Sequence, residues 1–424
     1  MSLPSNCRRA ATAQRGLSLI ELMIALLLSG VLMLGLIQIF SASRASYALA
    51  HGAARVQESA RFAFDVLQRD LRQAGQFGCT SDQAHFQYGG RSFRELFLSD
   101  RADYATLPDV DHKNALRFDL SLFGYEAANS GRGQTVTVPA TPVAGASDDW
   151  SPALPANLVD LVPRPVRGSD IVVVRALSAE SAEVVRFQRD AADPTRASVL
   201  VRSAHWPALT HEDANPGLFG IADCRSVVMF QAAAVIQGTD TVQIDATVSN
   251  LNRDSFDGGD IFGIGQARLY RANSHVYYVG LKADGHPALF RASFGAAPGA
   301  RSISVRSDEL VEGVENLQLL YGQDIERRAA QPPLGRLGVV ATAAGVSLTA
   351  SGRADIDRWL TQLAWHRVNK LQVGMVVRSA DPASAPPRAV AFNSQGSLIQ
   401  TAGDGRYRSV YETNIAVRNR LTGN

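Results

Sequence analysis

The 424 residues contain no G-x-S-x-G, no H-E-x-x-H, no P-loop and no C-x-x-C pattern. The nucleophile elbow, the zinc-protease helix, the phosphate cradle and the redox dithiol therefore lack their signatures. The eight histidines are scattered, and the closest two, His205 and His211, share a loop-like stretch with Trp206 and Pro207. No catalytic constellation and no cofactor follow from these residues, which argues against an enzyme. Charge of one sign is also missing. The formal net charge is +2, too small to call for nucleic acid or an anionic membrane surface.

Cysteine is scarce: Cys7, Cys79 and Cys224. Acidic residues are absent from the first sixteen positions, which hold Arg8, Arg9 and Arg15. Without that segment the chain keeps 39 basic residues against 40 acidic ones and loses Cys7. The remaining Cys79 and Cys224 read either as a disulfide in an exported chain or as two buried thiols.

What is present begins at Leu22. From there to Phe40 run nineteen residues without a charge, with only Ser29 and Gln38 polar. About twenty apolar residues suffice to cross a bilayer as a helix. The preceding arginines put the N-terminus in the cytoplasm and the rest of the chain outside it. A secretory signal fits poorly, because its apolar region is shorter and ends at a small-x-small cleavage site. A plain membrane anchor leaves Glu21 unexplained.

The helical pattern continues past the span. From Ser41 to Ala74 there is no proline and one glycine, Gly52. Val56, Ala60, Phe64, Leu67 and Leu71 form an apolar stripe, with charged residues mostly on the other side. Gly75 is placed to end the helix. Beyond it the period changes to two. Ile171–Val174, Val276–Val279, Ala288–Phe290, the alternation through Leu371–Val377 and that through Tyr411–Val417 read as half-buried antiparallel strands. Ala283-Asp284-Gly285 marks a hairpin. Residues 129–168 and 380–388 are rich in proline and read as hydrated loops, and 353–368 as a short second helix. Asp254, Asp257 and Asp260 cluster with glycines, which suggests a solvated turn more than a calcium loop. The fold class is α+β, one long helix followed by a β-rich region.

Arg15-Gly16-Leu17-Ser18-Leu19-Ile20-Glu21 resembles the type IV prepilin cleavage motif. The resemblance implies cleavage after Gly16 by a prepilin peptidase/methyltransferase, methylation of Leu17 and retention of Glu21. The usual Phe of the motif is Leu17 in this chain. A carboxylate inside a membrane helix is costly and normally has a partner. Here the new Leu17 amine of a neighbouring subunit can serve, or Glu21 can snorkel to the headgroups. Gly30 and Gly35 read as points of local melting or of close helix packing.

Gly75–Cys79, Leu310–Gln318, Val376–Ser379 and Tyr411–Arg420, with the helix segments Arg61–Phe64 and Arg69–Gly75, resemble the PilW group of minor pilins. That implies a type IV pilin-like fold with four parts. They are a cleaved leader 1–16, a transmembrane and fibre-core helix 17–40, its amphipathic continuation 41–75, and a globular region 76–424. It further implies a low-abundance subunit that leaves the inner membrane for the pilus. There it primes assembly at the fibre tip with the major pilin, other minor pilins and a possible tip adhesin. A Cys79–Cys224 disulfide would then join the end of the helix to the sheet. A type II secretion pseudopilin and a membrane-anchored surface-binding module are the alternatives.

The intact mass of the exported protein is expected to lack residues 1–16 and to carry one methyl group at Leu17. A mature chain that retains the arginines contradicts this reading.

Overall fold

The computed structural model describes residues 18–81, 92–97, 115–248, 251–328, 331, 333–348, 364–383 and 388–420. One helix, α1, runs Leu19–Arg72. Its 54 residues reach about 81 Å at 1.5 Å each. Gln73 caps it, and Gly75, at φ 73°, turns the chain away two places later. The expected helix was two residues longer at each end. Position 17 lies outside the described residues, and the last turn unwinds at the cap.

The remainder is β-rich, so the fold is α+β. Four strands, Leu337–Ala341, Val314–Asp324, Val368–Pro382 and Arg406–Ala416, form an antiparallel sheet in that spatial order. The second half of α1 lies on it and on Ser304–Glu312. Gly52, Val56, Ala60, Ala63, Val66, Leu67 and Leu71 are the buried helix residues. Val56, Ala60, Leu67 and Leu71 were legible as a stripe. Phe64 sits at its margin, half-buried. A Cβ on Gly52 would meet the Ala383 Cβ at 2.9 Å, so the helix touches the sheet closely there.

Val368–Pro382 is buried on both faces, not one as expected from its alternation. Val376 faces away from the helix into a small cluster with Val136, Val138 and Ile399. That cluster is roofed by a three-stranded sheet of Val390–Ser394, Ser397–Thr401 and Thr135–Val138. The last pair is parallel.

A twelve-stranded sheet forms the rest. Two long strands run through it, Ile171–Arg189 and Arg268–Leu281. Arg268–Leu281 and Pro287–Gly295 form the expected hairpin, with Tyr278 opposite Phe290. Each long strand contributes to three cores, and Leu177 and Ala272 enter one of them with Phe77, Phe93 and Phe118. Ile171–Val174 and Val276–Val279 join the core against α1. Ala182, Val184 and Leu269 join a second core with Phe219, Phe230, Phe256 and Phe262, to which α1 contributes nothing.

Asp170, at the start of the first long strand, ties the layers together. It accepts hydrogen bonds from Ala127 N and Leu319 N, both at 2.8 Å, and from Ser130 Oγ at 3.2 Å. Burial pushes its pKa up to about 7, against donors that favour the anion.

Residues 129–168 do not form the hydrated loop their prolines suggest. Thr135–Val138 is a strand, and Trp150, Leu154, Leu158 and Leu161 enter the main core. The segment satisfies its own polar groups locally: Trp150 Nε1 donates to Ser169 O at 2.9 Å, and Leu154 N to Ser147 O at 3.0 Å. It can therefore pack with only short strands and a single helical turn, Thr135–Val138, Trp150–Ser151 and Ala156–Val159. Of 380–388, Ala380–Pro382 finish a strand, while 384–387 lie outside the described residues. Most of the expected helix 353–368 also lies outside them, and Val368 already begins a strand.

Leu67→Ala is expected to lower stability by about 2–5 kcal/mol, because it opens a cavity under the helix. Thermal or denaturant unfolding of the full chain in detergent measures it.

Candidate assembly site

Ser18 is the N-cap of α1, in extended conformation. Its N–H donates to Glu21 Oε2 at 2.9 Å and its hydroxyl to the same oxygen at 3.0 Å. Glu21 N–H donates back to Ser18 Oγ at 3.2 Å. This is a capping box, which satisfies otherwise orphaned donors at the helix start. The S-x-x-E spacing was present in the sequence, but the sequence reading assigned Glu21 only to other chains or headgroups. Here it has a partner within its own chain. Gly16 and Leu17 lie outside the described residues.

Beyond the cap, the helix contains an apolar window of mean hydropathy 2.5, none of it buried. Leu19, Leu27, Leu32 and Ile39 are 67–77% exposed. A Cβ on Gly30 or Gly35 would meet nothing within 4 Å. No contact within the chain therefore requires glycine at either place. Arg44 ends the apolar stretch with its guanidinium 5.8 Å from the Phe40 ring centroid.

The other end of α1 is pinned to the head. The Tyr277 hydroxyl donates a short hydrogen bond to Asp70, and Arg291 stands 3.6 Å from the same carboxylate. Burial and the adjacent Asp70 charge raise the Tyr277 pKa well above its ordinary value. Gln68 Nε2 donates to Thr413 Oγ1 at 3.2 Å, and Asn419 Nδ2 to Ala74 O at 3.3 Å. Gly75 N–H donates to Arg175 O at 3.1 Å. Cys79 and Cys224 form a disulfide with Cα atoms 4.8 Å apart. It joins the chain just after α1 to the turn between Leu218–Ala222 and Val227–Gln231.

Under the helix platform lies a charge network that the sequence reading missed. Buried Glu315 takes Arg378 Nη1 at 3.1 Å and Arg408 through Nε at 2.7 Å and Nη2 at 3.1 Å. Arg408 also reaches Asp404 at 2.6 and 2.8 Å. Burial opposes the Asp404 charge, but hydrogen bonds from Arg408 and the Arg406 N–H outweigh it and hold its pKa at about 2. Burial lowers the pKa of Arg378. It also works against Arg408, where the bonds to Asp404 and Glu315 win and raise the pKa. Glu315, Arg378 and Arg408 lie on three strands far apart in sequence, so no local spacing reveals their meeting, while Asp404 sits four residues before Arg408 in the turn that leads into its strand.

The acidic turn at 254–260 already holds a cation. Arg94 lies 2.7 Å from Asp254 and 3.4 Å from Asp257, with a shorter contact to Asp260. Among the described residues no cluster of three or more His, Cys, Asp or Glu could hold a metal. His205 ends a single 3-10 turn and His211 caps a five-residue helix.

Two family models match the chain. The prokaryotic N-terminal methylation motif covers residues 12–37, and the family described as type IV pilus-assembly protein W, PilW, covers residues 276–419. None of the curated proteins and none of the solved structures matches. The motif, the uncovered apolar helix and the pilus-assembly match define a type IV pilus-related pilin. Within that class the chain is PilW-like, a match to the minor pilins. The PilW match contains the strands on which α1 lies, 304–312, 368–382 and 406–416. The second, α1-independent core draws almost entirely on residues before it.

Glu315→Gln is expected to cost about 3–5 kcal/mol, since it takes the one close anion from buried Arg378 and leaves Arg408 with Asp404 alone. Asp404 has its folded pKa depressed. Its contribution is complete above the unfolded value of about 4 and fades as pH falls toward 2. Asp404→Asn should flatten that part of the stability profile, read as thermal midpoint against pH.

Proposed function

We propose that this protein is a minor pilin that helps initiate type IV pilus assembly at the fibre tip. It is made as a prepilin, cut behind Gly16, methylated at Leu17 and held in the inner membrane by residues 17–40 until extraction. The observation that carries this reading is α1 itself. Its first part has no protein cover, and its second part is fastened to a head by one face.

Leu19 to Phe40 spans about 33 Å along the helix axis, close to the hydrocarbon thickness of a bilayer. Such a surface is stable in lipid or against other apolar helices, and the methylation motif points to both in succession. Glu21 is tolerable in lipid because Ser18 supplies two donors. In the fibre the Leu17 amine of an adjacent subunit supplies a full charge, which is worth more in an apolar core than a neutral hydrogen bond. Tip placement is supported by the second core. It enlarges the head beyond what seats α1, and a fibre end has room for it because no subunit follows. The partners in this reading are the prepilin peptidase, the major pilin, other minor pilins and a tip adhesin.

Glu21→Ala is expected to leave membrane insertion intact and to remove the protein from sheared pili. Normal recovery in pili overturns the role of Glu21. Deletion of the protein is expected to reduce surface pili and to leave protein secretion unchanged. Loss of secretion with normal pili favours the pseudopilin reading.

A further inference from the structure

The outward face of the second half of α1 carries an ordered pattern. His51, Arg55, Glu58, Phe62, Asp65, Arg69 and Arg72 are all exposed and follow one another at steps of four and three. That spacing is a straight seam along the helix, opposite in kind to the buried stripe. Its signs are symmetric about an aromatic centre: base at 55, acid at 58, Phe62, acid at 65, base at 69. Phe62 is 53% exposed. Among the described residues Arg55, Arg61 and Arg72 make no ion pair, and Arg69 reaches only Asp70, at 3.6 Å.

We infer that this seam docks the helix of a different pilin, whose facing residues read acid, base, apolar, base, acid at the same steps. The inference rests on the reading of α1 as a fibre-forming helix and names the partner of that helix. Continuity supports it, because the seam prolongs the surface that the apolar half presents to other subunits.

A second copy of this chain meets like charges in the parallel registers within one heptad and in the antiparallel register centred on Phe62. In parallel register each charge meets its like, Arg55 against Arg55 and Glu58 against Glu58. In antiparallel register about Phe62, Arg55 meets Arg69 and Glu58 meets Asp65. A parallel copy displaced by one step pairs Arg55 with Glu58 and Asp65 with Arg69, but it sets Arg69 against Arg72 and each Phe62 against a carboxylate. A displacement of seven residues sets Glu58 against Asp65 and Phe62 against arginine. Like charges in contact and a carboxylate desolvated against an aromatic face both disfavour association. Lipid is a poor occupant too. Arg55 lies about 22 Å beyond Phe40 along the axis, more than twice the ~8 Å range of headgroup charge at physiological salt.

The test uses the full-length chain in its own cells, with Phe62 replaced by the photoreactive residue p-benzoylphenylalanine. The cross-linked peptide is then sequenced by mass spectrometry. The expected adduct is a helix of another pilin with basic residues three or four places either side of the contact. Arg55→Glu combined with Arg69→Glu should cut its yield about tenfold, and Glu58→Lys combined with Asp65→Lys should do the same. Arg132→Glu, an exposed control elsewhere, should not. Formation of the Cys79–Cys224 bridge verifies that each variant folds. Adducts only with a second copy or with lipid, no adduct, or yields indifferent to charge reversal overturn the inference. The protein is also scored in sheared pili. Presence there with no charge-dependent adduct sinks the seam alone, whereas absence from pili sinks the reading of function.

Discussion

One helix has to be stable in two surroundings at once, and the rest of the molecule is arranged around that constraint. For about 33 Å α1 is apolar on nearly every side, and none of its apolar window is buried among the described residues. Past Arg44 only one face is apolar, and that face is built from small residues, Gly52, Ala60 and Ala63, as well as large ones. Small side chains let the helix axis come close to the sheet, where Ala383 already touches the Gly52 position. Close approach then brings Gln68, Asp70 and Ala74 within hydrogen-bonding reach of Thr413, Tyr277 and Asn419. Packing places the helix, and the polar pins fix its rotation and height.

The strands beneath face a related problem. Val368–Pro382 is covered by α1 on one side and by the three-stranded sheet on the other. A strand buried on both faces has nowhere to expose a charge, so its Arg378 must be neutralised inside. Glu315 does this from the neighbouring strand, and Arg408 and Asp404 complete the set from the next. The same economy recurs at the head's acidic turn, where Arg94 supplies the positive charge that three carboxylates require.

Local spacing made the helix legible, along with its stripe, the 276–290 hairpin and the period-2 strands, because each has its signal within a dozen residues. Glu21 stood out because a carboxylate at the head of an apolar run is rare. Its partner Ser18 is equally near, three residues away, in an S-x-x-E spacing that is common to helix starts and so points to no charge partner. The stretch 129–168 was misread for a physical reason. Prolines limit regular backbone bonding to short pieces, but Trp150 in a two-residue strand, Leu158 in a single helical turn and Leu154 and Leu161 from the turns beside them all bury, because side chains and turns satisfy the remaining polar groups. The Glu315 network was invisible because its members are brought together only by strand register. The Cys79–Cys224 bridge was legible, since an exported chain left with two cysteines most simply pairs them, and the fold brings them together across 145 residues.

That bridge also has a mechanical meaning. Anything that pulls on the head while α1 is held passes tension into the helix by the stiffest available route. From Arg72 the chain runs only seven residues to Cys79, and the bond there leads straight to Cys224. Cys224 sits between two strands of the large sheet, next to Arg268–Leu281, one of the two long strands common to all three cores. A pull on the outer core therefore reaches α1 through a sheet ladder and a covalent bond, and it bypasses residues 80–223. Helix and head behave under tension as one spliced cable, with the splice placed beside the buried cluster of Phe77, Ala222 and Val227.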